Sequence, residues 1–405
     1  MAALIAWLDA SSEEQRRMRD IIRLFSERES RDELGLGQIR DAIADALFPG
    51  TSTLLTRARY LLFVPWAYQK ASGRPNPPAD ADRYERDIIR ALKASGDYAG
   101  LLGMQAGEAL KTLPSAIYWA MLRHYGILAD GSLTRDDAVR LHGMRLTLDD
   151  AADGAAGRFH VWAPTLPQAP EGFPGEIPDG FALRGDEAAW LRDRILGAAP
   201  DTLIAHLAVN RPDPDSPAPW ADRAALSVTG DARSLLDDAR SFSTLMHGAQ
   251  LLYNLLLAEQ YEDAGYDRIA APVDGFRDRM RRWSEELPGM VDLSTWDLDS
   301  LLAQVELTRG APINPGSRRF VRGWRDLLLE VGPDAIADDA RAHEFIARRE
   351  RQHKGPQARI GNRGRLASWG GSSGASALVF RWPQVRSILL DIHDGLDRTQ
   401  EKPDA

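Results

Sequence analysis

Apolar residues recur every three or four positions along most of this chain, the spacing that places side chains on one face of an α-helix. The strongest pattern runs from Asp231 to Tyr261, with Gly248 as a candidate break. Shorter helical patterns cover residues 186–196 and 201–209, and Thr134 has the sequence context of a helix cap. The chain is therefore predicted to be mainly helical.

The first 70 residues predict three helices. A capping box at Ser11 and Glu14 begins the first. The second carries apolar residues up to Leu47 and ends at Phe48-Pro49-Gly50, because proline and glycine interrupt a helix. The third is predicted to begin at Ser52 and to end or kink at Pro65.

One segment near the C-terminus has the composition of a β-strand. Residues 378–382 are rich in β-branched and aromatic side chains, and they lie between a Gly/Ser loop and Pro383. A last helix is predicted over residues 385–391. The predicted fold class is thus mainly α, a multi-helix body with a small α+β C-terminal region.

A stretch rich in proline, glycine and aromatic residues, 158–178, is the clearest candidate for a domain boundary. We predict an N-terminal helical domain at 1–157, a central helical domain at 158–340 and a basic C-terminal α+β region at 341–405.

The composition narrows the class of protein. The 405 residues include 44% hydrophobic and 27% charged residues and no cysteine, which excludes disulfides, thiol nucleophiles and Cys-ligated metal sites. No stretch approaches the roughly 20 apolar residues that span a bilayer. The N-terminus also lacks the basic region of a secretory signal. These features predict a cytoplasmic protein with no membrane partner.

The net charge of −9 is unevenly distributed. Residues 301–405 hold 17 Lys and Arg against 13 Asp and Glu, whereas residues 1–300 hold 33 against 46. An acidic body with a basic end argues against a protein that coats nucleic acid, but it is compatible with one localised site.

The basic end centres on residues 345–370, which contain seven Lys and Arg and a single acid, Glu350. Glycines and Asn362 predict that half of this segment is loop. Guanidinium groups and free backbone N–H groups suit phosphate oxygens, and Trp369 could stack on a base. The predicted nucleic-acid-binding residues of this segment are Arg348, Arg349, Lys354, Arg359, Arg363, Arg365 and Trp369. The alternative is an arginine-rich surface that is solvated or that pairs with the acidic body.

A second basic group lies upstream. Arg318, Arg322 and Arg325 share one face of a predicted helix, with Arg319 beside them. Arg318, Arg319 and Arg322 are added to the predicted nucleic-acid-binding residues, on the hypothesis that both basic groups line one groove. Arg57 and Arg59, inside a predicted apolar helix, are instead expected to pair with carboxylates and to fix helix packing.

The sequence contains no complete match, in a suitable structural context, to the catalytic motifs it partly resembles. Residues 370–374 match G-x-S-x-G, but the expected strand follows the serine instead of preceding it, so a flexible loop is predicted. His343-Glu344 begins H-E-x-x-H, yet Ala347 stands where the second histidine is needed. No catalytic residue, metal ligand or cofactor is predicted.

Several runs of the sequence resemble an uncharacterised bacterial family, a domain of unknown function. The runs are Asp32-Glu33-Leu34-Gly35, Ile39-Arg40-Asp41, Phe48-Pro49-Gly50-Thr51-Ser52, Thr56-Arg57-Ala58-Arg59-Tyr60, Phe63-Val64-Pro65-Trp66, Gly248-Ala249, Tyr253-Asn254 and Phe380-Arg381-Trp382-Pro383. The similarity extends nearly end to end, which favours one integrated unit. The resemblance implies gene neighbourhoods with helicases and nucleases of phage-defence systems.

These features together predict a non-enzymatic component of a bacterial anti-phage defence assembly. It would bind DNA or dock on DNA-processing partners such as helicase or nuclease subunits. Two alternatives remain: a metal-dependent nuclease or nucleotide-processing enzyme, and a helical protein–protein scaffold.

Overall fold

The computed structural model describes residues 32–104, 110–142 and 160–400. The capping box at Ser11 and Glu14 lies outside these ranges. Within them the chain forms two compact units: unit 1 covers residues 32–42 and 238–378, and unit 2 the remaining described residues. The domain boundaries predicted at 157/158 and 340/341 stay a prediction.

The described residues form fifteen α-helices, and the mainly helical prediction is confirmed. The helices are α1 (Gly37–Leu47), α2 (Tyr60–Ala71), α3 (Pro77–Ala94), α4 (Pro114–His124), α5 (Arg135–Leu141), α6 (Gly185–Ala198), α7 (Leu203–Val209), α8 (Arg223–Leu226), α9 (Gly230–Asp263), α10 (Pro272–Met290), α11 (Leu298–Arg309), α12 (Pro315–Val331), α13 (Ala340–Lys354), α14 (Arg363–Leu366) and α15 (Trp382–Gln400). Within the described ranges the only β-type pairing is an isolated antiparallel bridge between Leu128 and Trp162.

The core of unit 2 is built around α2. Ten of its twelve residues are buried, because its sequence is apolar on every face, and it packs against α3, α4 and α5. In the same unit α15 packs against α6 and α7. The third predicted helix corresponds to α2, but the prediction that it begins at Ser52 is wrong. Residues 53–59 form turns and irregular backbone, and α2 begins at Tyr60 and continues through Pro65 to Ala71. Burial of the whole helix outweighs the one backbone hydrogen bond that Pro65 cannot donate.

The main helix of unit 1 is α9, which runs unbroken past Gly248. At that position a Cβ atom would lie 2.1 Å from the Trp283 ring of α10, so the glycine serves close packing and does not break the helix. The indoles of Trp283 and Trp324 donate hydrogen bonds to the carbonyls of Thr244 and Leu245, which tie α10 and α12 to α9. Neither α9 nor any other helix in the described part of the chain is long and apolar enough to cross a membrane.

The predicted strand at residues 378–382 is wrong, and with it the α+β character of the C-terminal region. Phe380 and Arg381 have φ angles of +49° and +66°, which an extended strand cannot contain, and Trp382 already begins α15. The side chains of Leu378, Phe380 and Trp382 are buried without a sheet, and the Trp382 indole donates a hydrogen bond to the Ser216 carbonyl at 3.0 Å. The β-branched and aromatic composition of residues 378–382 therefore indicates burial of these side chains and not a β-strand.

Candidate nucleic-acid interface

The first part of the basic segment, residues 345–354, belongs to α13, where Arg349 points into the protein interior. In α13 the buried stripe Ala342, Ile346 and Ala347 continues to Arg349 and Glu350, so Arg349 is only 6% exposed. Its Nε donates to the Leu34 carbonyl at 2.7 Å, and its Nη2 donates to Ser317 Oγ at 2.9 Å. Burial lowers the pKa of this guanidinium. Arg349 thus holds the chain before α1 and is not available to a phosphate.

Two further predicted cations, Lys354 and Arg359, meet at Glu33. The Lys354 ammonium lies 3.1 Å and the Arg359 guanidinium 3.0 Å from Glu33 Oε2, and the Glu33 side chain is 7% exposed. Beside them the Tyr253 hydroxyl donates to Glu350 Oε1 at 2.7 Å. Desolvation, with the two carboxylates close by, raises the pKa of Tyr253, so it remains the donor. We name these five residues the Glu33 cluster.

The Glu33 cluster fixes where the loop half of the basic segment begins. The Glu350 carboxylate, fully buried, accepts the backbone N–H groups of Arg359 and Ile360 at 2.8 and 2.9 Å. A buried carboxylate with three donors is well satisfied. The Glu33 cluster therefore holds the loop in place, and its two cations, Lys354 and Arg359, are both used in ion pairs with Glu33.

A small cavity of about 130 Å³ adjoins the Glu33 cluster in unit 1. Its lining includes Asp32, Glu33, Gln250, Tyr253 and Ser373. The cavity wall is rigid at residue 373, because the Asn254 amide donates to the Ser373 carbonyl and accepts the Ser373 N–H, both at 2.8 Å. Asn254 is a buried polar side chain of α9, and residues 370–374, which match G-x-S-x-G, form neither helix nor strand.

Most cations of α12 pair with neighbouring acids. Arg318 forms an ion pair with Glu306, and Arg322 Nη2 lies 2.7 Å from Asp299 Oδ1; both acids belong to α11. Arg325 pairs with Asp326 at 2.9 Å.

Arg319 and Arg348 differ from these neighbours. Both side chains are exposed, and neither has an ion pair within the described ranges. The guanidinium of Arg348 lies over the Phe345 ring at 5.8 Å. The cleft between α12 and α13 that Arg348 borders also contains Asp326, Glu330 and Glu344, so it carries both signs of charge.

The loop half of the basic segment points outward. Arg363 and Arg365 are exposed, and neither pairs with a carboxylate in the part of the chain that the structure describes. Arg363 Nη2 donates to the Ala264 carbonyl at 2.9 Å, and the Tyr266 hydroxyl donates to the Arg363 carbonyl at 3.2 Å. The loop after α9 is thereby held against the loop around α14, and Arg268, also exposed, donates to the carbonyl of Ala367.

We name residues 264–268 and 361–368 the loop surface. It contains three arginines and one aspartate, Asp267, and so has a formal charge of +2 within a protein of net charge −9. Tyr266 is half-buried there, with the Arg363 guanidinium over its ring at 5.9 Å. Guanidinium groups, exposed glycine backbone and an aromatic ring are the features that bind nucleic-acid backbones and bases.

Trp369, predicted to stack on a base, is 2% exposed. Its ring packs against Tyr261 and Phe276 at centroid distances of 5.5 and 6.1 Å. In this position it supports the loop surface from inside. Tyr266, which was not predicted from the sequence, is the aromatic residue over which the exposed Arg363 lies.

The structure therefore divides the ten predicted residues into separate groups. Arg349, Lys354 and Arg359 surround the segment at 33–35, Arg318 and Arg322 join α11, and Arg363 and Arg365 lie on the loop surface. The missed residues Tyr266 and Arg268 lie about a hundred positions from Arg363 in sequence, so no local pattern connects them.

In unit 2, Arg57 and Arg59 pair with carboxylates, as predicted. Arg57 forms a bidentate ion pair with Asp391, with N–O distances of 3.0 and 2.9 Å, and Arg59 forms an ion pair with Glu187 at 3.1 Å. Both precede α2 and do not lie inside a helix. Within the described ranges, no group of three or more His, Asp or Glu is arranged to hold a metal ion.

The model of one protein family matches residues 1–395, and its description is a family of unknown function, DUF6361. Because the match covers nearly the whole chain, the chain belongs to this family, which confirms the resemblance seen in the sequence. No curated protein and no solved structure matches the chain.

Proposed function

We propose that this member of the DUF6361 family is a non-enzymatic component of a bacterial anti-phage defence assembly, and that it binds DNA at the loop surface. The observation that supports the proposal is that Arg363 and Arg365 are exposed beside Arg268 and have no carboxylate partner among the described residues, whereas Lys354 and Arg359 form ion pairs with Glu33. The assignment to a defence assembly rests only on the resemblance of this chain to the family, which implies gene neighbourhoods that contain helicases and nucleases.

The physical basis of the proposal is phosphate binding by guanidinium groups. Each Arg presents a planar fork of donors that matches two phosphate oxygens, and each phosphate neutralised releases condensed counterions. Arg363 is already held in place by the Ala264 carbonyl, so less side-chain entropy is lost when it binds. Arg319 and Arg348, which are exposed and have no ion pair with any described residue, are additional candidates on α12 and α13.

The test is DNA binding across a salt series by the wild type and by the triple variant Arg268→Glu, Arg363→Glu, Arg365→Glu. With three phosphate contacts the slope of log K against log [salt] for the wild type should be about −2 on single-stranded and about −3 on duplex DNA, and binding by the variant should fall below detection. The matched control is Arg74→Glu, Arg123→Glu, Arg140→Glu, which removes three exposed arginines of unit 2 and gives the same net charge. Equal loss of binding in both variants, or no binding by the wild type at low salt, contradicts the proposal.

A second candidate is docking on a helicase or nuclease subunit at the cleft between α12 and α13. The open cleft has a volume of about 540 Å³, and its floor includes Gly323, Leu327 and Phe345. An ion pair between Arg341 and Glu330 lies at the same cleft, so its rim is polar and its floor apolar, as in protein interfaces. Co-purification with a neighbouring gene product that survives nuclease treatment, and that Leu327→Asp abolishes, supports this candidate over direct DNA binding.

A further inference from the structure

The arginine and tyrosine at the centre of the loop surface form a layered pair. The Arg363 guanidinium lies over the Tyr266 ring at 5.9 Å, and the Tyr266 ring also packs at a tilt of 47° against buried Tyr261, with ring centroids 5.0 Å apart. Two hydrogen bonds fix the pair, from the Tyr266 hydroxyl to the Arg363 carbonyl and from Arg363 Nη2 to the Ala264 carbonyl. The layer is therefore pre-organised, with the exposed Arg363 outermost.

We infer that this layer stacks an unpaired base, so that the loop surface selects single-stranded DNA over duplex DNA. The inference rests on the proposed function, because it names the form of DNA that the same surface binds. A guanidinium plane stacks on base faces as aromatic rings do, and a cation held over an aromatic ring is attracted to the ring's electrons. Arg363 can thus offer one face to a base while Tyr266 supports the other.

The shape of the loop surface favours the same substrate. Reading duplex DNA in the major groove requires a helix or a two-stranded ribbon that enters the groove. The helix of this surface, α14, has four residues and is flanked by glycine-containing loop, so it is too short for that role. In duplex DNA the base faces are also occupied by neighbouring bases, whereas a single strand exposes them.

The charge of the loop surface is modest, and this makes stacking the decisive contribution. Asp267 lies among the three arginines, and Glu262 and Asp263 are exposed just before them in sequence. These acids weaken the attraction to the denser phosphate charge of a duplex. Base stacking does not depend on that charge, and it improves single-strand affinity by roughly five- to a hundredfold per base.

The test compares Arg363→Lys with Arg365→Lys by fluorescence anisotropy on a labelled oligothymidylate, an abasic strand of the same length and a matched duplex. Both variants keep the charge, but only Arg363→Lys removes the plane over Tyr266. We expect the wild type to prefer the oligothymidylate over the other two DNAs by about fivefold or more. Arg363→Lys should remove that preference and leave the salt slope unchanged, and Arg365→Lys should retain the preference.

The outcomes separate this inference from the proposed function. If the wild type binds all three DNAs equally and Arg363→Lys behaves as Arg365→Lys does, the stacking inference is overturned while DNA binding stands. If the wild type binds none of the three at low salt, both are overturned. The variant Tyr266→Leu is a second route to the same answer: it should reduce oligothymidylate binding and leave duplex binding unchanged, and circular dichroism verifies that it is folded.

Discussion

The ion pair of Arg59 and Glu187 is the most deeply buried pair of charges described in unit 2, with side chains 1% and 0% exposed. Arg59 Nη1 also donates to the carbonyls of Pro178 and Gly180 at 2.7 Å, so the guanidinium joins the segment before α6 to the start of α2. A buried charge without its partner is costly, because desolvation is no longer compensated. The pair thus couples two distant parts of the sequence through one side chain.

We predict that Glu187→Gln lowers the free energy of unfolding of unit 2 by about 3–5 kcal/mol, since Arg59 then remains charged in the core. Urea denaturation measures the change. Asp278→Asn, which breaks the exposed pair between Arg281 and Asp278, is the control and should cost well under about 1 kcal/mol. The double variant Arg59→Met, Glu187→Leu should be more stable than Glu187→Gln alone; additive losses would contradict this account.

The neighbours Arg348 and Arg349 show what the sequence can predict at the residue scale. Both belong to one basic run, yet one is exposed and the other buried. The spacing of Ala342 and Ile346 predicts that positions 349 and 350 continue the buried stripe. The inward direction of the Arg349 side chain could therefore be predicted from the sequence. Its partners could not, because Leu34 and Ser317 are distant in sequence. The same holds for Tyr266 and Arg363.

At the scale of elements, the positions of the helices and some of their ends were predictable, and the strand was not. α1 ends at Leu47, directly before Phe48-Pro49-Gly50, and the capping box at Thr134 begins α5. The predicted strand failed because an apolar run signals burial, and Phe380 and Trp382 are buried at the start of a helix. Burial depends on distant parts of the chain, which local propensity does not contain.

The packing of α9 against α10 yields a prediction for paired glycine substitutions. Gly248→Ala should destabilise unit 1 by about 1–3 kcal/mol, because its Cβ atom would overlap the Trp283 ring, which is itself buried and hydrogen-bonded. Gly275→Ala in α10 should instead stabilise by about 0.5–1 kcal/mol, since no atom lies within 4 Å of its Cβ position. Thermal or urea denaturation measures both, and a destabilised Gly275→Ala variant would contradict the steric argument.

At the scale of the whole molecule, each unit contains a buried group whose ionisation opposes folding and whose pKa is shifted far from its ordinary value. In unit 2, burial raises the pKa of Glu85 to about 7; its neighbours are Ser115, Asp82 and Arg135. In unit 1, burial and nearby Arg279 lower the pKa of His247 to about 4, although its Nε2 lies 3.3 Å from the Ala375 carbonyl. These two pKa shifts have opposite signs, so Glu85 and His247 should change local stability with pH in opposite directions.

The sign follows from which state binds more protons. Glu85 has a higher pKa folded than unfolded, so its contribution to stability is complete below about pH 4.5 and is lost as the pH rises to about 7. His247 has a lower pKa folded than unfolded, so its contribution is complete above about pH 6.5 and is lost as the pH falls to about 4. Each effect amounts to about 3 kcal/mol over its full range.

Native-state hydrogen exchange can follow both units in one sample. Between pH 5 and pH 7.5, the opening free energy of α3 should fall by about 2–3 kcal/mol, while that of α9 around His247 should rise by about 2 kcal/mol. Glu85→Gln keeps an acceptor for the Ser115 N–H, which now lies 2.7 Å from Glu85 Oε2, and should abolish the trend in α3 alone. His247→Gln should abolish it in α9 alone. A parallel trend in both helices, or a trend that survives its own substitution, would show that other groups control the pH response, and the two buried side chains would then have no such role.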